Sequence, residues 1–115
     1  MKLLSIAVPC YNSENYMRKC IDSLLEGGEI VEILIVDDGS SDNTAQIADE
    51  YAAAHPSIVK AIHQENGGHG AAVNTGIQNA TGFYFKVVDS DDWVNEEAYM
   101  KVLETLEHLL GGDKS

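Results

Sequence analysis

Val31-Glu32-Ile33-Leu34-Ile35-Val36-Asp37-Asp38-Gly39-Ser40-Ser41 decides the fold. The run VEILIV does not alternate. It is apolar at nearly every position, as expected for a strand buried on both faces of a parallel sheet. The strand gives way to two carboxylates and a glycine, and Ser40-Ser41-Asp42 supplies helix-starting residues. A helix face follows at Ile47, Ala48, Tyr51 and Ala52, and His55-Pro56 ends it.

Working outward, the same grammar repeats. Leu3 to Val8 is an apolar run expected to be a short buried strand that stops at Pro9. Met17, Ile21, Leu24 and Leu25 form one helical stripe, closed by Gly27-Gly28. Ile58 to Ile62 reads as a weaker strand. Gly67, Gly68 and Gly70 make a turn before an Ala-rich helix from about Ala71 to Ala80. Phe83 to Val88 is the last strand, ending in Asp89-Ser90-Asp91-Asp92. Asn95 is placed to cap a final helix, with Glu96 and Glu97 in its first turn and Tyr99, Val102, Leu103, Leu106 and Leu110 as its stripe. Strands alternating with helices predict an α/β domain: a Rossmann-like, mostly parallel sheet with flanking helices and right-handed crossovers. Residues 1–110 are expected to form the domain and 111–115 a tail.

Composition narrows the function. The chain of 115 residues has room for one domain. Seven basic residues against 19 acidic ones give a net charge of −12. Only Arg18 and Lys19 are adjacent cations, so nucleic acid is excluded as a partner: phosphate backbones need clustered Lys and Arg. A hydrophobic share of 44% with 23% charged residues is globular rather than disordered composition. No apolar run approaches the roughly 18 residues of a membrane span. The opening Met1-Lys2-Leu3-Leu4 turns polar at Ser5, unlike a signal peptide. Cys10 and Cys20 have no CxxC spacing, which suits a reduced chain. A small, acidic, soluble cytoplasmic domain is expected.

In a parallel sheet, ligands bind at the carboxyl ends of the strands. Three predicted strand ends are rich in polar residues: Pro9-Cys10-Tyr11-Asn12, Asp37-Asp38-Gly39-Ser40-Ser41 and Asp89-Ser90-Asp91-Asp92. Taken alone, DDGSSD or DSDDW is as readily a cap or loop as a site. On one rim, however, their five carboxylates repel each other unless a cation sits between them. A hard divalent ion takes oxygen ligands and shares them with substrate phosphates, which would reconcile an acidic rim with a nucleotide diphosphate. Tyr11 offers a ring face to a base.

The order VPCYN, IVDDGSSDNT, NGGHGAAVNTGI, VVDSDDW resembles the nucleotide-sugar half of family 2 glycosyltransferases, which have the GT-A fold. The resemblance runs from about Ser5 to Trp93. It implies that Pro9 and Tyr11 border the nucleobase, with Asn12 beside them on the same loop, and that Asp38 accepts a hydrogen bond from the base, usually uracil, supported by Asp37. It further implies that Asn66, Gly67 and Gly68 shape the loop beside the donor. Asp89, Ser90, Asp91 and Asp92 match the DXD region; Asp91 would lie near the ribose or the metal, and Asp91 or Asp92 would ligate Mg²⁺ or Mn²⁺ on the diphosphate. The implied reaction is inverting transfer from a nucleotide-sugar donor to a saccharide or lipid-linked acceptor.

Two departures bear on that reading. Val73 stands where many relatives have Arg. The chain also stops after the helix that follows DSDDW, whereas the family's acceptor half, with its general base, lies further on. An amino-terminal part of a longer enzyme is therefore expected, binding donor without transferring sugar, with self-association through surface the missing half would cover. Membrane association of the full-length protein is compatible with the resemblance.

His69, in the Gly-rich turn, is either an ordinary loop histidine or one that approaches a phosphate; His55 and His108 read as surface residues. Cys10 reads as packing, and Trp93 as an anchor of its loop in the core. The strongest rival is a receiver-like signalling module. A receiver places its acidic pair after the first strand and a Lys after the fifth. Here the pair follows the second strand, and Lys86 lies inside the fourth.

Overall fold

The computed structural model describes residues 1–111. Along the chain run β1 (Leu4–Cys10), α1 (Met17–Leu25), a 3-10 turn at Gly28–Ile30, β2 (Val31–Asp38), α2 (Thr44–Ala54), β3 (Val59–Gln64), α3 (His69–Asn79), β4 (Tyr84–Val87) and α4 (Glu96–Gly111). The four strands form one sheet in the order β3-β2-β1-β4, each neighbouring pair parallel. The expected α/β class holds. Of the expected tail, residues 112–115 lie outside the described residues, and Gly111 is the last residue of α4.

β2 is buried at all 8 positions, its apolar residues on both faces and the carboxylates of Glu32, Asp37 and Asp38 with them. Leu4, Ile6, Val8 and Cys10 of β1 and Val31, Ile33 and Ile35 of β2 share one face of the sheet. They pack with Met17, Ile21 and Leu24 of α1, Ile47 and Ala48 of α2, and Tyr99 and Leu103 of α4. Each such aliphatic side chain contributes about 1.5–3 kcal/mol on burial, so this layer is the main source of stability. The opposite face of β1 and β2 is covered by α3. A Cβ added at Gly76 would lie 2.6 Å from the Ala7 Cβ, so α3 rests on β1 only because both positions are small.

β1 continues to Cys10 instead of stopping at Pro9. Ala7 directs its carbonyl to β4, where it accepts the Val88 N–H at 3.0 Å, and Pro9, two residues on, faces the same side. The β1–β4 ladder ends at Ala7–Val87, so the missing proline N–H falls where no partner asks for it.

The amino-terminal end of the sheet carries a buried carboxylate that the sequence reading passed over. Glu32 is 2% exposed. Its oxygens accept from Ser5 Oγ at 2.7 Å, Lys60 Nζ at 2.8 Å, Thr81 N at 2.9 Å and Thr81 Oγ at 3.0 Å. Ser5 Oγ in turn accepts the Gly82 N–H at 2.8 Å. The turn into β4 is thereby pinned to β1, β2 and β3.

Candidate functional site

Chain order places β2 and β3 on one side of β1 and β4 on the other, so the direction of winding reverses between β1 and β4. In doubly wound sheets the crevice at such a reversal is where ligands bind. A cavity of about 370 Å³ opens there. It is walled by Pro9 near the end of β1 and Tyr11 just after it, Asp38 at the end of β2, Asn66 and Gly68 before α3 with His69 at its start, and Asp89, Ser90 and Asp91 after β4.

Each wall is held by local bonds. Asn12 has φ 50°, a left-handed conformation that Asn tolerates better than most residues. Its Oδ1 accepts from Ser41 N at 2.8 Å, and its own N–H donates to Ser40 Oγ at 2.9 Å. The loop after β1 is thus tied to the loop after β2. Tyr11 is left 53% exposed at the cavity edge.

Asp38 is nearly buried, and its carboxylate is an acceptor for the Gly-rich loop. Oδ1 takes the Gly67 N–H and Gln64 Nε2, each at 2.9 Å, and Oδ2 takes the Gly68 N–H at 2.9 Å. Asn66 Nδ2 donates to the Asp38 carbonyl at 3.0 Å. Burial pushes the Asp38 carboxyl up, but the bonds from Gln64, Gly67 and Gly68 outweigh it and hold the pKa below the ordinary carboxylate value. Gly39, at φ +73°, lets this packing close: a Cβ there would sit 2.6 Å from the Asn66 nitrogen.

The acidic run after β4 folds back on itself, Asp92 N donating to the Asp89 carbonyl at 2.9 Å. This turn gathers Asp89, Asp91 and Asp92, one oxygen from each lying within 4.8 Å of the others. Three exposed carboxylates at that spacing offer the all-oxygen donor set a hard divalent cation takes, with room for substrate oxygens. The residues fit such an ion. His69 Nε2 lies 3.1 Å from Asp89 Oδ1, and both residues line the cavity.

Comparisons with known proteins agree with this geometry. The sequence profile described as "Glycosyl transferase family 2" matches residues 5–110. The chain belongs to glycosyl transferase family 2. GlyA, a glycosyltransferase of Streptococcus pneumoniae, is 42% identical over 106 residues, covering 88% of this chain and 15% of GlyA. S. aureus TarS in complex with UDP-GlcNAc superposes with a TM-score of 0.80 at 32% identity, over 94% of this chain and 32% of that one. A mannosyltransferase from Pyrobaculum calidifontis in complex with GDP-Man and Mn²⁺ superposes with a TM-score of 0.74 at 25% identity, over 84% of this chain and 30% of its own. The family 2 domain therefore has the GT-A-like α/β fold of TarS, and it spans well under half of the relatives it matches.

Of the residues singled out from the sequence, the family 2 domain brings Pro9, Tyr11, Asp38, Asn66, Gly68, Asp89, Ser90 and Asp91 to one cavity. Asn12, Asp37 and Gly67 stand behind its walls, and Asp92 joins the carboxylate cluster. Asp37 turns to the other face of the sheet, where Oδ1 accepts the Ser40 N–H at 3.1 Å and Oδ2 lies 2.9 Å from His63 Nδ1.

Three features escaped the sequence reading. Ser13 and Tyr16 also line the cavity, and the polar stretch after Pro9 was the signal for both. His63 links Asp37 to Asp49, whose Oδ1 is 2.7 Å from Nε2. Trp93 does not anchor its loop in the core: it is 56% exposed, with Lys19 Nζ 3.5 Å from the ring centroid. Val94 anchors the loop instead, packing on the core while its N–H donates to Ser23 Oγ at 3.1 Å.

Proposed function

We propose that this domain is the donor-binding part of an inverting glycosyltransferase that moves a sugar from a nucleoside-diphosphate sugar, a UDP-sugar, to an acceptor hydroxyl with the help of Mg²⁺ or Mn²⁺. The observation that carries the reading is the cavity at the β1/β4 reversal, with an aromatic side chain on one wall and a carboxylate cluster on the other. The complexes of TarS with UDP-GlcNAc and of the archaeal mannosyltransferase with GDP-Man and Mn²⁺ support a nucleotide sugar and a divalent ion here. The higher identity to TarS favours uridine.

In this reading Pro9 and Tyr11 border the base, with Asn12 fixing their loop. Asp38 accepts from the base while holding the Asn66-Gly67-Gly68 loop against the donor, and Asp37, on the opposite face, holds the loop after β2 through the Ser40 N–H. Asp89 and Ser90 line the diphosphate side, and Asp91 and Asp92 hold the metal. The ion, when bound, stabilises the negative charge that develops on the departing nucleoside diphosphate. The domain's own residues bind and orient the donor, and in this reading the chain by itself binds donor without transfer. Residues 1–110 form the donor-binding unit. The acceptor, a saccharide or a lipid-linked sugar, is met by the whole protein.

A cytoplasmic location is part of the same proposal; among the described residues no helix is long and apolar enough to cross a membrane. Self-association is proposed as well. Among the described residues β4 is paired on its β1 side alone, and Phe83 and Phe85 beside that open edge are 56% and 37% exposed. A concentration-dependent rise in sedimentation coefficient is expected; a monomer at high concentration would count against it.

The donor reading is tested by calorimetric titration of UDP, with GDP and TDP alongside, in Mn²⁺ and then in EDTA, on the wild type and on Asp91→Ala/Asp92→Ala. UDP binding that needs Mn²⁺ and vanishes in the variant is expected. Equal binding by the variant would remove the metal assignment, and no binding of any nucleotide would overturn the donor reading.

A further inference from the structure

Ser13 has no part in the roles assigned so far, yet more of the site converges on it than on any residue named above. It is 1% exposed. Its Oγ accepts the Tyr11 N–H at 3.1 Å and lies 2.8 Å from Ser90 Oγ. Its N–H donates to Thr44 Oγ at 2.7 Å, and its carbonyl accepts from Tyr16 N and Met17 N at the start of α1. Thr44 and Ser90 are buried too, at 0% and 7% exposure. One residue therefore joins the loop after β1 to the first residue of α2 through its backbone N–H and to the loop after β4 through its hydroxyl.

The link between Ser13 and Ser90 matters because nothing in the sheet replaces it. The β1–β4 ladder ends at Ala7–Val87, with one more backbone bond from Val88 to Ala7. Beyond that point the two loops run on as separate walls of the cavity. Ser13–Ser90, at 2.8 Å, joins residues 9–16 to residues 88–95, with the Cys10 thiol beside both hydroxyls. A nucleoside diphosphate has a fixed length between base and diphosphate, so a site that takes both must keep its two walls at one spacing. Preorganisation of that kind raises affinity without any new contact to the ligand.

We infer that Ser13 is a positioning residue which, through Ser90, fixes the distance between the wall that meets the base (Pro9, Tyr11) and the acidic rim (Asp89, Asp91, Asp92), so that nucleotide and cation bind as one coupled ligand. The inference rests on the donor reading above and adds to it a residue and a measurable quantity. Coupling is that quantity: the factor by which Mn²⁺ strengthens UDP binding must equal the factor by which UDP strengthens Mn²⁺ binding. A rigid spacing makes the factor large. A loose one lets each ligand bind its own wall and ignore the other.

The experiment measures UDP affinity in Mn²⁺ and in EDTA for the wild type, Ser13→Ala, Ser90→Ala and Ser13→Ala/Ser90→Ala. Thermal unfolding is recorded for each. Mn²⁺ alone is followed by quenching of Trp93, the single tryptophan of the chain, which reports on the rim without nucleotide. Either single variant leaves a buried hydroxyl without its partner and should lower the unfolding temperature; the double variant removes both hydroxyls and should recover part of it, the Tyr11 N–H still being without its acceptor. The coupling factor is expected to fall by roughly tenfold in Ser13→Ala, within the usual span of such couplings, and to stay low in the double variant. A merely structural Ser13 would let coupling return together with stability. Wild-type coupling in Ser13→Ala, or its return in the double variant, would overturn the inference while leaving the donor reading intact. Failure of the wild type to bind UDP under any condition would overturn the donor reading, and this inference with it.

Discussion

Asp37 and Asp38 are adjacent in the chain and leave β2 on opposite faces of the sheet, Asp37 to His63 and Asp38 to the backbone of Gly67 and Gly68. Strand alternation dictates the split. Ile33 and Ile35 sit in the core on the side of α1, α2 and α4, so Asp37 follows them and Asp38 takes the α3 side. The pair therefore does two jobs. One carboxylate fastens β2 to β3 and α2, and the other shapes the cavity.

Asp38→Asn tests the second job. The amide keeps the shape but gives up the charge, and one of its two positions turns an N–H toward backbone donors. Charge-assisted bonds to Gly67 and Gly68 are lost, at an expected cost of about 1–3 kcal/mol in stability. UDP affinity should fall by roughly tenfold or more, since 1.4 kcal/mol is a factor of ten. Urea unfolding and UDP titration on the same preparation check both, and an unchanged unfolding midpoint would refute the anchoring role.

The first job is tested by pH. Both nitrogens of His63 face carboxylates, an arrangement that favours the protonated ring, in which both can donate. The bonds to Asp37 and then to Asp49 raise its pKa above the ordinary 6.5, against the opposing pull of burial. A raised folded value means that the stabilisation is complete below the unfolded pKa and is lost as pH rises through the folded one. The wild type should thus exceed His63→Gln in melting temperature at pH 6, and the gap should close toward pH 9. Two parallel curves over that range would rule the pair out as a source of stability.

What the sequence disclosed and what it withheld have a common physical cause. VEILIV announces a strand buried on both faces, because its reading needs only the residues themselves. The polar strand ends were legible for the same reason, once a parallel sheet was granted. Pro9 was misread as a terminator because its missing N–H matters only on the side of β4, and β4 has ended there. His63 was overlooked because its partner Asp49 lies 14 residues away on a helix that reaches it only after α2 packs on β3. Trp93 and Val94 compete for one place in the core, and their order in the chain does not say which wins. The link between Ser13 and Ser90 spans 77 residues and could not be read from local pattern at all.

Glu32 gives a stability prediction of the opposite pH sense. Burial pushes its carboxyl up, but the bonds from Lys60, Ser5 and Thr81 outweigh that and bring it down to about 2. A depressed folded value contributes stability above the unfolded pKa, lost as pH falls through the folded one. Glu32→Gln keeps the size but leaves Lys60 without its counter-charge and Ser5 and Thr81 with a poorer acceptor. A cost of about 3 kcal/mol at pH 7 is expected for breaking a buried charged network. Urea unfolding should show that difference shrinking as pH is lowered from 5 toward 2. A constant difference would place the cost in packing rather than in charge.

Cys10 walls the cavity, and its chemistry can be separated from its packing. Burial is the main cause that pushes both Cys10 and Cys20 up to about 12. At pH 8 a thiol with such a value is ionised to roughly one part in ten thousand, and the thiolate is the species that reacts. Neither residue should react with iodoacetamide at pH 8 while the protein is folded, and both should react promptly in urea. Rates measured by mass spectrometry on each cysteine-containing peptide would distinguish them. Fast labelling of Cys10 alone in the folded protein would mean that the loop after β1 opens without global unfolding. Slow labelling of both, at the rate of unfolding itself, would fit a Cys10 that serves the cavity as packing.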